Sequence, residues 1–122
     1  MLLVAVELPW PDSALSANSR NRWAKIKAVT PARQMAKLTA LNSRMHVIKP
    51  GIGDLIISME FYPPTKRAFD LDGCITRCKA YQDGIFDALG IDDNLIVEIN
   101  AKRCQVVKCG LVRIEVKTRC NK

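Results

Sequence analysis

The chain is short of several residues on which small-protein chemistry often rests. It has one histidine, His46, at an expected helix end where a surface or capping role suits it, so Ser–His and Cys–His nucleophiles have little support. Its five cysteines, Cys74, Cys78, Cys104, Cys109 and Cys120, are odd in number and contain no Cys-x-x-Cys pair. That pattern signals neither a disulfide framework nor a zinc knuckle, and reduced thiols are expected. Cys74 and Cys78 stand one helical turn apart; Cys78 reads as core and Cys74 as a small helix-start residue. No apolar run approaches membrane-spanning length. The opening "MLLVAVELPW" lacks a basic leader and meets Glu7 early, so no signal peptide is expected. Repeats, low-complexity tracts, internal linkers and an aromatic ribonucleoprotein motif are also absent. A soluble, cytoplasmic protein is the expectation.

What the chain does have is positive charge. Lys and Arg number 19 against 12 Asp and Glu, for a net +7 in 122 residues. The charge is spread along the chain and favours a polyanionic partner such as nucleic acid. About half the residues are apolar, enough for a core, and the length fits one domain, residues 1–122.

In "LLVAVELPW" apolar residues surround Glu7, which predicts a mostly buried strand ending at Pro9. The Pro-, Ser- and Asn-rich "PWPDSALSANSRNRW" predicts a loop. Thr30-Pro31 reads as an N-cap followed by a first-turn proline, opening a helix to about His46. Met35, Leu38, Leu41 and Met45 would form its apolar spacing, and "KPGIGD" would break it. "DLIISMEFYPP" alternates as a strand, with Leu55, Ile57, Met59 and Phe61 on one face. A basic loop follows. From Gly73 to Leu89 the apolar period is helical, through Ile75, Cys78, Gln82, Ile85, Phe86 and Leu89. "LIVEINAKRCQVV" and "LVRIEVKTR", joined by "KCG", read as a hairpin. The order β-α-β-α-β-β predicts a single α/β (α+β) domain, a mixed sheet with two packed helices.

The most unusual segment is "KRAFDLDGCITRCK", which sets Asp70 and Asp72 in cationic surroundings. Two neighbouring acids repel unless something positive stands between them. If the segment is extended, the two side chains point the same way. Asp72 is also a candidate N-cap. On the helix that follows, Asp72, Thr76, Lys79 and Asp83 fall within roughly 40° of one line, with Lys79 about 10 Å along the axis from Asp72. Asp92 and Asp93 sit after the helix, where the dipole disfavours acids. If that loop folds back, Asp93 joins Asp70 and Asp72 to form a set of oxygen ligands suited to Mg²⁺ or Mn²⁺.

These segments resemble the RusA-type Holliday junction resolvases, including phage and prophage versions. "LPWPDSALSANSRNRW" is similar to the opening Pro-Trp-Pro…Ser…Asn…Arg…Trp of that family. "FYPPTKRAFDLDG" is similar to its strand, basic loop and Asp-x-Asp-Asn motif, and "KAYQDGIFDALGIDD" to a phage-branch helix with a terminal Asp-Asp. The resemblance implies a homodimeric, Mg²⁺-dependent endonuclease that nicks four-way DNA junctions symmetrically. It maps the catalytic and metal-binding carboxylates onto Asp70, Asp72 and Asp93, with Asp92 beside the last. The active-site lysine maps onto Lys79, seven residues after Asp72, since the alternative position, four after, is Thr76; Arg77 is the other candidate. Two positions depart from the pattern. Gly73 stands where the motif has Asn, and Phe69 where Arg is frequent.

The expected phosphate contacts are Lys66 and Arg67, then Arg20, Arg22 and Lys25, with Asn18 and Arg77 also at the DNA surface. Trp23 is expected to pack on the sheet, the alternative being to stack on a base. The competing function, motivated by Gly73 and Thr76, is a junction-binding protein of the same fold with weak or no cutting. An RNA-binding accessory role rests on charge alone.

Overall fold

The sheet is built around its two best-buried strands. The structure, a computed structural model, describes residues 2–15, 21–43 and 53–119. Among these the order is β1 (Leu2–Pro9), α1 (Arg22–Asn42), β2 (Leu55–Tyr62), α2 (Leu71–Arg77), α3 (Lys79–Leu89), β3 (Ile96–Arg103) and β4 (Leu111–Thr118), with single 3₁₀ turns at Ser13–Leu15 and Asp93–Leu95. This is one small α+β domain with a mixed four-stranded sheet, ordered β1-β4-β2-β3. β4 runs antiparallel to both β1 and β2, whereas β2 and β3 are parallel.

Alternation decides which face is covered. Leu55, Ile57, Met59 and Phe61 of β2 and Val112, Ile114 and Val116 of β4 are all buried under the helices. Their neighbours in sequence point to the other side, where Glu60 meets Lys102 and Arg113, and Arg113 meets Glu115. α3 contributes Ile85, Phe86 and Leu89 to the core. It ends at Gly90, whose left-handed φ of 71° lets its N–H reach the Phe86 carbonyl.

α1 differs from its sequence expectation at both ends and in its buried face; it closes at Asn42, where Ser43 is extended, and not near His46. It starts at Arg22, not at Thr30-Pro31, because Asn21 caps it by accepting the Ala24 N–H at 3.0 Å. Pro31 therefore lies inside the helix and leaves one carbonyl without its helical donor. The buried face is Ala32, Ala36 and Ala40; Leu38 and Leu41, expected in the core, are each 49% exposed. Close approach is the reason. A side chain on Gly84 of α3 would run into the Arg33 carbonyl oxygen and stand 3.0 Å from the Ala36 Cβ. The helices meet backbone to backbone, and only small residues fit between them. Met45, His46 and "KPGI" of the expected break lie outside the described residues, as does Cys120.

The segment expected as one helix from Gly73 to Leu89 is two helices, so the described residues form three helices and not two. The chain tightens at Cys78 (φ −88°, ψ 4°), whose N–H is shared between the Cys74 and Ile75 carbonyls at 3.1 Å each. The apolar spacing survives the bend, because Gln82 N–H still bonds the Cys78 carbonyl at 2.9 Å.

The expected β3–β4 hairpin does not form. β2 lies between the two strands. After β3 the chain keeps following the end of β2, with Cys104 N–H on the Phe61 carbonyl and Val107 N–H on the Pro63 carbonyl. It reverses only at Cys109 and Gly110, both at positive φ. β4 then returns along the opposite side of β2. Among the described residues no helix is long and apolar enough to cross a membrane.

Candidate functional site

The approach to the acids is fixed by aromatic packing. Phe69 stands edge-on to Trp10 at 5.4 Å, and Trp10 stands edge-on to Phe61 in the core at 6.1 Å. The Arg103 guanidinium of β3 covers the Phe69 ring at 4.2 Å and donates to the Phe69 carbonyl at 2.6 Å. The residue before Asp70 is thus an anchor, which accounts for an aromatic where the motif often has Arg.

Asp70, not Asp72, caps the helix. Its backbone is extended, and its Oδ1 accepts the Asp72 N–H at 3.2 Å. Asp72 is already in the first turn, so the two acids are not a same-side pair on an extended strand. Their shared cationic neighbour is the helix start itself. Thr76, in the alternative lysine position, turns its hydroxyl onto the Asp72 carbonyl at 3.1 Å.

Lys79 opens α3, and its ammonium lies 2.9 Å from Asp93 and 3.1 Å from Asp83. Hydrogen bonding to Asp93 raises the Lys79 pKa, and the same bond holds the Asp93 carboxyl below the usual carboxylate range. Gln82, read from sequence as core, is buried, and its side chain helps to keep the Asp93 carboxyl low. A glutamine inside an apolar period carries no sequence mark of this role. Asp92 has a separate task, capping the 3₁₀ turn through Asn94 N–H at 3.0 Å. The Asp-Asp pair is therefore divided: one acid shapes the turn and the other meets the lysine.

Asp93 is thus brought to Lys79 and not to the Asp70–Asp72 end. Among the described residues no group of three or more His, Cys, Asp and Glu side chains is placed to hold a metal ion. As they stand, Asp70, Asp72 and Asp93 do not fit a divalent metal as one ligand set.

The expected DNA contacts fall into separate places. Lys66 and Arg67 are exposed on the loop before Phe69, where Thr65 braces the Arg67 N–H at 3.3 Å. Arg22 is exposed at the first turn of α1, while Lys25 and Arg77 are half-buried and line one hollow together with Lys79. Asn18 and Arg20 lie outside the described residues. Trp23 does not pack on the sheet. It is 74% exposed, because the face of α1 that turns inward is the alanine face.

No family model matches the chain. An uncharacterized protein of Xylella fastidiosa is 39% identical over 114 residues, a match that covers 92% of this chain and 74% of that protein. The chain belongs to the same family as this Xylella fastidiosa protein.

Proposed function

We propose that this protein is a RusA-type endonuclease acting on four-way DNA junctions as a homodimer; its dependence on Mg²⁺ or Mn²⁺ rests on the resemblance and not on a ligand set formed by Asp70, Asp72 and Asp93 together. The observation that carries the reading is the Lys79–Asp93 contact at 2.9 Å. The resemblance assigned both residues to one site, and they meet although 14 positions apart. In this reading Asp83 and Asp93 aim the Lys79 ammonium, which offsets charge developing on a phosphate oxygen during hydrolysis. Lys66, Arg67 and Arg22 hold backbone phosphates and supply affinity without sequence preference. Asp70 and Asp72, which the resemblance assigns to catalysis, stand at the start of α2 just after the basic Lys66–Arg67 loop.

A second reading is favoured by the separation of Asp93 from the other two acids: a protein that binds junctions and does not cut them. One comparison separates the two. Wild-type protein and Asp70→Asn are titrated into a labelled four-way junction and a matched duplex, in Mg²⁺ and in EDTA. The endonuclease reading expects equal junction binding by both proteins in EDTA, nicking by the wild type in Mg²⁺, and none by the variant. Binding without nicking in Mg²⁺ or Mn²⁺ selects the second reading. No preference for the junction over duplex overturns both.

A further inference from the structure

Where α1 passes the bend between α2 and α3 there is a hollow of about 170 Å³. Its floor is apolar: Leu15 and Ala80 are each 5% exposed, and Val29 is half-buried beside them. Its rim carries three cations, Lys25 from α1, Arg77 from α2 and Lys79 from α3, together with the Thr76 hydroxyl and one carboxylate, Asp83. Lys79 is held by Asp83 and Asp93. Lys25 and Arg77 make no ion pair among the described residues. The Asp83 carboxylate is taken up by Lys79 at 3.1 Å, so two half-buried cations from different helices face the hollow with no ion pair among the described residues, and call for an anion.

The floor narrows which anion. A bare phosphate needs donors around it and gains nothing from Leu15, Val29 and Ala80. A flat ring gains from dispersion contact with that floor and from covering the half-buried Val29. The hollow is smaller than sites for drug-sized ligands, about 300–1,000 Å³, and suits one ring system. We propose that it binds one unpaired nucleotide, with its base against Leu15, Val29 and Ala80 and its phosphate between Lys25 and Arg77. A base paired within a duplex is unable to enter, because its faces are stacked on its neighbours. That a DNA strand at a branch supplies the nucleotide rests on the function proposed above; the affinity of the hollow for a nucleotide does not.

The test is methyl NMR of the whole chain in EDTA, following Leu15, Val29 and Ala80. The titrants are thymidine 5′-monophosphate, a short oligothymidylate, inorganic phosphate and a paired duplex. Both the nucleotide and the oligonucleotide are expected to shift the three methyls; phosphate and duplex are not. Arg77→Ala is expected to weaken nucleotide binding roughly tenfold or more, the worth of one charged hydrogen bond. Val29→Phe, which fills the hollow and keeps every charge, is expected to abolish the shifts at Leu15 and Ala80. Should Arg77→Ala not fold, Lys25→Gln gives the same comparison from the other helix. Unmoved methyls in saturating nucleotide, or equal displacement by inorganic phosphate, would overturn the proposal. A response to the monophosphate but none to the oligonucleotide would overturn a strand as the source. Because metal is absent throughout, failure of the nuclease reading leaves this result unaffected.

Discussion

Lys79 and Asp93 meet at 2.9 Å where α3 begins and the chain turns back toward the sheet. Both groups keep solvent contact, so the pair contributes little to stability, about 0–1 kcal/mol for exposed pairs. In the function proposed above, its value lies in aiming an ammonium. Lys79→Met is expected to leave the circular dichroism spectrum and junction affinity nearly unchanged. It should slow nicking by about 10²-fold or more, the usual cost of removing one donor to developing charge. Nicking at the wild-type rate would remove Lys79 from the site.

Two glycines should respond to alanine in opposite directions. Gly84→Ala puts a methyl into the backbone of α1 at Arg33 and should destabilise the domain by about 1–3 kcal/mol. Gly73 has only ordinary contacts for an added methyl, at 3.8 Å or more from Asp70. There the gain in helix propensity should dominate, up to about 1 kcal/mol. Urea denaturation of both variants checks the signs.

Arg33 and Asp87 join α1 to α3 through two bonds, of 2.6 and 2.8 Å. The hydrogen bond from Arg33 lowers the Asp87 pKa below the usual carboxylate range. A lowered folded pKa contributes stability above the unfolded value, and that contribution disappears as pH falls through the folded one. Carbon NMR should therefore show Asp87 titrating in the more acidic range, and Arg33→Gln should move its midpoint upward. In that variant the acid limb of the stability curve should also flatten.

The cysteines should label in two classes. Burial pushes the Cys78 thiol up to about 12 and raises Cys74 as well, so neither offers thiolate near neutral pH. Cys109 is exposed and Cys104 half-buried. A thiol reagent at pH 8 should modify Cys109 first and reach Cys74 and Cys78 only on unfolding. Peptide mapping of the labelled sites distinguishes them. Fast native labelling of Cys78 would contradict its packing.

Strands announced themselves in the sequence wherever one face is buried. The alternation of β2 was plain, and β1 ended at Pro9 as read. Pairing was not legible. Nothing local says that β2 separates β3 from β4, because that order depends on which strand finds the better-covered place. α1 departs from its expected face because leucine and methionine periodicity is the usual helical mark. Here the buried face is alanine, chosen by a glycine on another helix. In the site, the acids and Lys79 were visible as residues, and the polar stripe placed Lys79 and Asp83 together. The division of labour between Asp92 and Asp93, the capping by Asp70 and the contribution of Gln82 depend on the loop path. Spacing does not encode that path.

In the function proposed above, Lys79 and Asp70 both belong to a DNA-cutting site. The most direct measurement maps cut positions on all four labelled strands of a fixed four-way junction, with wild type and Asp70→Asn side by side in Mg²⁺. Paired nicks at symmetric positions on two opposing strands, made by the wild type and lost in the variant, are the predicted result. An uncut junction in Mg²⁺ and Mn²⁺, bound tightly by both proteins, would contradict it.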